Sequence, residues 1–406
     1  MDTQNCRPLV GGSFLWYNEH LLCVLREEKE MKKESLGGLL LVVCTIIAMT
    51  LANSAWAEAY DSILHMPLTF GVGDYVINLS LLHWINDALM AIFFFAVGME
   101  IKKEFLFGEL KTPSATLLPI VGAIGGMVVP ALIYTAFNVG QPTLSGWGIP
   151  MATDIAFSLG VLALAAPRVP RSIVVFLTAL AIVDDLGGIL VIALFYTSAL
   201  AVPYLIAGAV VLLLLQLACR KGISYFPIYW VGGVVLWYAL LRGGVHPTIA
   251  GVLLGFSLPA RTDGGLLAKV EHQVAPFSTF FIMPVFALAN AGIALSMESF
   301  GTITSSVGLG ILGGLFIGKP LGIFAAVFLL IRTGLTAVPT GTKLTHFFGA
   351  GMLGGIGFTM SLFIASLAFA SDNDLQTAKM AIMAASILSA IGGSLVLQAV
   401  KEKSLR

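Results

Sequence analysis

Twelve mostly apolar stretches recur along the chain, separated by short polar connections. They lie near residues 37–53, 81–101, 115–137, 146–166, 172–197, 203–219, 226–241, 244–260, 275–296, 305–331, 345–369 and 377–399. An α-helix needs about 20 apolar residues to cross a hydrocarbon core of about 30 Å. The pattern therefore predicts an all-α membrane protein of about twelve transmembrane helices. An even number of crossings puts both termini on one side, and cytoplasmic connections collect Lys and Arg. The N-terminal tail, the C-terminus and the connections carrying Lys102, Lys103 and Lys111, Arg168 and Arg171, Arg220 and Lys221, Arg261 and Lys269, and Arg332 and Lys343 alternate along the chain. They hold every basic residue except Arg242 and Lys379, which fall outside, and Lys319, which lies inside the tenth stretch. The expected arrangement is a multi-pass protein embedded in the lipid bilayer, with both termini cytoplasmic.

Composition agrees with this. Of 406 residues, 58% are hydrophobic and 11% charged, whereas a soluble domain carries about a quarter of its residues as Asp, Glu, Lys and Arg. The balance of 22 basic and 22 acidic residues gives no bulk attraction to nucleic acid. Cys6, Cys23, Cys44 and Cys219 suit neither a disulfide framework nor a zinc site and read as free thiols. No Walker A motif is present and no cofactor is expected. Residues 1–30 carry no helical pattern and read as a cytoplasmic tail, disordered or arising from an upstream start codon with Met31 as the working start. Residues 31–406 form a single membrane domain. A competing reading takes Met31-Lys32-Lys33, the apolar run and "ANSAWA" as a cleavable secretory signal.

Two three-helix groups, about 115–197 and 305–399, each contain a central span interrupted by Gly and polar residues, with a Pro in the first: "GWGIPMATDIAF" and "GMLGGIGFTMSLF". The charge alternation starts the first group from the cytoplasm and the second from outside, so the two are inverted repeats. Paired interrupted spans mark a transporter's binding site, because unwound backbone exposes amides and carbonyls. Glycine and proline are also common in ordinary membrane helices, where neighbours satisfy the freed groups.

An ionisable side chain at mid-membrane costs about 2.5–3.5 kcal/mol on insertion scales and needs a partner or a purpose. Asp154 lies in the first interrupted span, Asp184 and Asp185 in "ALAIVDDLGGIL", and Lys319 in the tenth stretch. Asp87, near an outer edge, reads as a cap or a water-facing group. Adjacent helical residues diverge by about 100°, so Asp184 and Asp185 should have different partners. Carboxylates, the Thr153 hydroxyl and freed carbonyls offer the oxygen ligands that a hard cation such as sodium takes, and protons compete for the same carboxylates. An antiporter requires that competition. A purely structural Asp184–Lys319 pair is the alternative. Facing broken spans would also bring helix termini to mid-membrane, where Asp154 offsets the positive N-termini and Lys319 the negative C-termini.

"GIPMATDIAFSLGVLAL", "LAIVDDLGGILVIALFY", "GGVHPTIAGVLLGF", "ALANAG", "IGKPLGI" and "GIGFTMSLFIASLAF" together resemble the bacterial NhaA-type sodium/proton antiporters, from about Met31 to the last span. The resemblance implies twelve helices, the fourth and eleventh broken and crossing. It implies Asp185 as principal sodium ligand with Asp184 and Thr153 beside it, Asp184 pairing with Lys319 when no ion is bound, and Asp154 compensating helix dipoles. Sodium or lithium would leave the cell in exchange for a larger number of protons. Glu100, Glu271, His272 and His246 match residues of the family's pH response, but Ala275 stands where well-known members have a second histidine. Without the resemblance, His272 and His246 read as ordinary loop or helix-end histidines.

An intramembrane aspartyl protease is the enzymatic rival, since it needs two membrane carboxylates sharing a proton. Asp184 and Asp185 are adjacent rather than on facing helices; only Asp154 with Asp185 would serve. A retinal protein with Lys319 as Schiff base is disfavoured by the number of spans and by Pro320 directly after the lysine. Segment 54–80 is long enough for a β-hairpin at a homodimer contact, and "FGVGDYVINL" has strand character. Because residues 1–30 fall outside both the apolar pattern and the resemblance, a chain begun at Met31 is expected to insert and transport normally. Loss of membrane insertion in that truncation, measured by fractionation, would refute this.

Overall fold

The computed structural model describes residues 36–70, 76–108, 111, 113–197, 200–261, 264–295 and 301–400. The proposed tail 1–30 and the start at Met31 lie outside the described residues. Helix α1 (Leu36–Ala52) bends by 114° into α2 (Ala57–Leu64). A hairpin of β1 (Pro67–Phe70) and β2 (Ile77–Ser80) follows, antiparallel with Phe70 opposite Ile77. The chain continues through α3 (Leu81–Phe107), α4 (Pro113–Asn138), a 3-10 helix (Pro142–Met151), α5 (Ile155–Ala165), α6 (Arg171–Phe195), α7 (Val202–Arg220), α8 (Phe226–Gly243) and α9 (Ile249–Ser257). It ends in α10 (Leu266–Asn290), α11 (Ser306–Arg332), α12 (Leu344–Gly354), α13 (Phe358–Ala368) and α14 (Asp372–Ala399).

The protein is thus an all-α membrane protein with one small hairpin. Helix occupies all twelve apolar windows. Among the described residues, seven helices are long and apolar enough to cross a membrane, or ten when each of three bent pairs counts as one span. Two windows are drawn differently from the apolar pattern. The one at 244–260 holds only the nine-residue α9, because α8 ends on Gly244 at φ +83° and Pro247 follows. The one at 275–296 belongs to a helix that begins at Leu266. There Leu267 and Val270 are buried while Lys269 and His272 are exposed, so an amphipathic turn continues the helix past its apolar part. Glu271 and His272 are therefore helical residues, not loop residues.

Burial separates the centre from the lipid face. In the apolar window of α6, 61% of residues are buried, against 17% in α7, whose Ile206, Leu213 and Leu217 are exposed. Helix α1 belongs to the packed core: Leu41 is fully buried and Gly38 lies against Ala156 and Gly160 of α5. Small residues let backbones approach where lipid supplies no hydrophobic drive between helices. A Cβ on Gly251 would collide with the Ala91 carbonyl, joining α9 to α3, and one on Gly125 with the Gly322 carbonyl, joining α4 to α11. Lys102 of α3 fastens the first of these pairs by donating to the carbonyls of Phe256 (2.8 Å) and Leu258 (2.6 Å) at the end of α9, where the helix dipole favours a cation. Gly251→Val should lower stability by about 1–3 kcal/mol through forced separation of backbones. Gly188→Ala, which meets open space, should stay within roughly 0.5 kcal/mol of wild type. Thermal unfolding in detergent compares them, and equal effects would contradict this packing.

Candidate functional site

Both interrupted spans break where glycine and polar residues interrupt the apolar run, with Pro150 beside the first break. The first turns by 44° between Met151 and Ile155, the second by 47° between Gly354 and Phe358. The breaks meet: the Asp154 amide donates to the Ile356 carbonyl at 2.7 Å. Four helix ends therefore converge on one buried region, and helix ends carry unsatisfied amides or carbonyls.

Asp154 is fully buried and serves two N-termini. One oxygen caps its own helix α5 through the Phe157 amide (3.0 Å); the other accepts from the Thr359 amide (3.1 Å) and hydroxyl (2.5 Å) at the start of α13. Thr359 was not singled out from sequence, although it is a polar residue inside "GIGFTMSLF". At the opposite ends, Lys319 donates to the carbonyl of Met151, the last residue of the 3-10 helix. The Thr153 hydroxyl lies 2.9 Å from the carbonyl of Gly354, the last residue of α12. Deeper in each break the two spans exchange serines. Ser158 of α5 donates to the Leu353 carbonyl and Ser361 of α13 to the Ile149 carbonyl, both at 2.9 Å. The serine exchange, too, is invisible in the linear sequence.

Beside the crossing, α6 presents Asp184 and Asp185, 2% and 4% exposed. Asp184 Oδ2 receives the Lys319 ammonium at 2.8 Å and stands 2.7 Å from the Thr153 hydroxyl. Lys319 reaches it from just beyond a wide π-helical turn, Gly313–Gly318, the kind of irregularity found often at functional sites. Asp184 Oδ1 is buried without a hydrogen-bond partner. Asp185, about 100° further round the helix, forms no ion pair among the described residues but is close enough to Lys319 for the two charges to act on each other. Glu100 of α3 is close enough for its charge to act on Asp185. Asp154, Asp184 and Asp185 are thus all buried, and the one ammonium among them pairs with Asp184.

The remaining sequence candidates lie apart from this cluster. Glu271 pairs with Lys103 at 2.7 Å, on the helix that carries Glu100. His272 is exposed. His246 approaches Asp87 at 3.5 Å, bonds Thr248 through Nδ1 at 2.7 Å and sets its ring edge-on to Phe363 of α13. Asp87 is therefore neither a cap nor a group facing open water: its side chain is 15% exposed and sits in a second π-helical turn, Ile85–Leu89.

Ionisable residues held where two broken membrane helices meet are the binding-site arrangement of secondary transporters. Comparison with known proteins agrees. Residues 28–397 match the sequence family described as Na+/H+ antiporter 1, and the chain belongs to that family. Its relatives include Na(+)/H(+) antiporter NhaA 2 of Clostridium beijerinckii, 51% identical over 380 residues, which cover 92% of this chain and 94% of that protein. The NhaA proteins of Aliivibrio fischeri and Vibrio cholerae are 47% and 46% identical, each over 89% of this chain and 94% of the relative.

Breaking a buried ion pair on one side costs about 3–5 kcal/mol, because the other charge is left uncompensated. Lys319→Ala should therefore lower stability by about that amount, and adding Asp184→Asn should recover part of it. Thermal unfolding of wild type, both single variants and the double variant in detergent at one pH tests this. A double loss equal to the sum of the single losses would show that the two residues are uncoupled.

Proposed function

We propose that this protein exchanges sodium or lithium for protons across the bacterial inner membrane. The observation that carries the reading is the imbalance at the crossing. Asp154 is compensated by two helix N-termini and Lys319 by Asp184 and a helix C-terminus, which leaves Asp185 buried without an ion pair among the described residues and Asp184 Oδ1 without a hydrogen-bond partner. An uncompensated buried carboxylate is costly. A proton or a small hard cation relieves that cost, and each excludes the other. Asp185 is the principal ion ligand, with Asp184 and Thr153 supplying further oxygens. When no ion is bound, the Asp184–Lys319 pair holds the site together; ion binding loosens it and favours release of a proton.

Alternating access follows if the two broken spans move against the rest of the molecule, opening the site to one side at a time. The serine exchange, in which each broken span serves the other in the same way, supports reading 115–197 and 305–399 as inverted repeats within a twelve-span domain covering residues 31–406. That count takes α8 and α9 as spans. Both termini are then cytoplasmic. More protons than sodium ions move per cycle, making the exchange electrogenic. Glu100, Glu271, His272 and His246 tune its pH response, serving pH homeostasis. The β1–β2 hairpin, with Phe70 exposed, is the proposed homodimer contact. A protease is disfavoured: Asp154, needed as partner to Asp185, spends both oxygens on helix N-termini, and the named relatives are antiporters.

Sodium-dependent proton flux in proteoliposomes across a pH series is the test. Wild type should show it, Asp185→Asn should abolish it, and Asp154→Asn should retain a residual rate, since its role is dipole compensation. Undiminished exchange by Asp185→Asn would remove the proposed site.

A further inference from the structure

We propose, building on the ion-exchange reading above, that Ser158 and Ser361 determine cation specificity by keeping two main-chain carbonyls out of the ion's coordination shell. The helix ends at the crossing carry more oxygen than a small ion needs. Met151 O and Gly354 O are engaged by Lys319 and Thr153, side chains of the site itself. One and two residues further back, Leu353 O and Ile149 O are equally buried at the same helix ends, and each is taken by a serine from the opposite span at 2.9 Å. Both serines are fully buried. They act through those carbonyls and not on the ion, so they are positioning residues.

Cation selection depends on how many oxygens reach the ion and how strong their field is. Carboxylate oxygens concentrate charge and favour the smallest cations, whereas a shell enlarged by neutral carbonyls accommodates a larger one. With both carbonyls capped, the available oxygens are those of Asp184, Asp185 and Thr153, a small shell of strong field that suits lithium and sodium. Removing either hydroxyl leaves a buried carbonyl without that donor. The Leu353 carbonyl also accepts from the Ile356 amide at 3.0 Å, a second donor that stays in place when the Ser158 hydroxyl is removed. The effect should therefore be larger for Ser361 than for Ser158.

The experiment measures KM for sodium-driven and potassium-driven proton exchange in proteoliposomes for wild type, Ser158→Ala, Ser361→Ala and the hydroxyl-retaining Ser158→Thr and Ser361→Thr. The ratio of the potassium KM to the sodium KM should fall roughly three- to tenfold in Ser361→Ala, the equilibrium worth of about one hydrogen bond, and less in Ser158→Ala. The threonine variants should keep the wild-type ratio. Thermal unfolding with added potassium or sodium chloride gives a second readout that needs no transport: potassium should stabilise the alanine variants more than wild type. An unchanged ratio in both alanine variants, or equal changes in the alanine and threonine variants, overturns the inference while leaving ion exchange intact. Absence of sodium-dependent exchange in wild type overturns the underlying reading and this inference with it.

Discussion

Charge removed from water must be compensated locally, and the crossing of two broken helices is organised around that requirement. Asp154 is held by amides of α5 and α13, so one side chain satisfies two positive helix ends. Lys319 answers a negative helix end and Asp184 together. The breaks are thus a source of fixed partial charge. An unbroken helix in either place would offer no free amides or carbonyls at this depth. Asp185 is left without an ion pair among the described residues, and the proposed ion exchange rests on that remainder.

Packing elsewhere keeps this arrangement in place. Backbone approaches at Gly125–Gly322 join α4 to α11, one helix from each proposed repeat, and hold Lys319 within reach of α6. Phe363 of α13 lies against Phe94 of α3, Phe286 of α10 and the ring of His246. The half-helix that begins at Asp154's partner Thr359 is therefore embedded in aromatic contacts from three other segments. Any movement of α13 would disturb these contacts, which link the Asp87–His246 contact to the crossing of the broken spans.

Much of this was legible in the chain. Apolar windows located helices because the bilayer imposes length, and the expense of intramembrane charge singled out Asp154, Asp184, Asp185 and Lys319. Glycine and polar residues inside two apolar runs, with Pro150 in the first, marked the breaks. The partners were less visible. Thr359, Ser158, Ser361 and the carbonyls they meet are ordinary residues whose roles depend on contacts between distant segments, and nothing in local spacing distinguishes them from other membrane-helix hydroxyls. Asp87 reads as a cap or a water-facing group in the sequence because position along a span carries no information about His246, which arrives from the connection between α8 and α9. The shortness of α9 and the early start of α10 reflect a left-handed glycine and an amphipathic turn, both finer than a hydropathy window resolves.

Competition between proton and cation at one buried carboxylate site has a direct signature: binding of one expels the other. Titration calorimetry of sodium into the purified protein, repeated at one pH in buffers of different ionisation enthalpy, counts protons released per ion bound. The account predicts release of about one proton or more for each sodium bound in wild type, and no sodium binding in Asp185→Asn. Sodium binding with no proton released would contradict it.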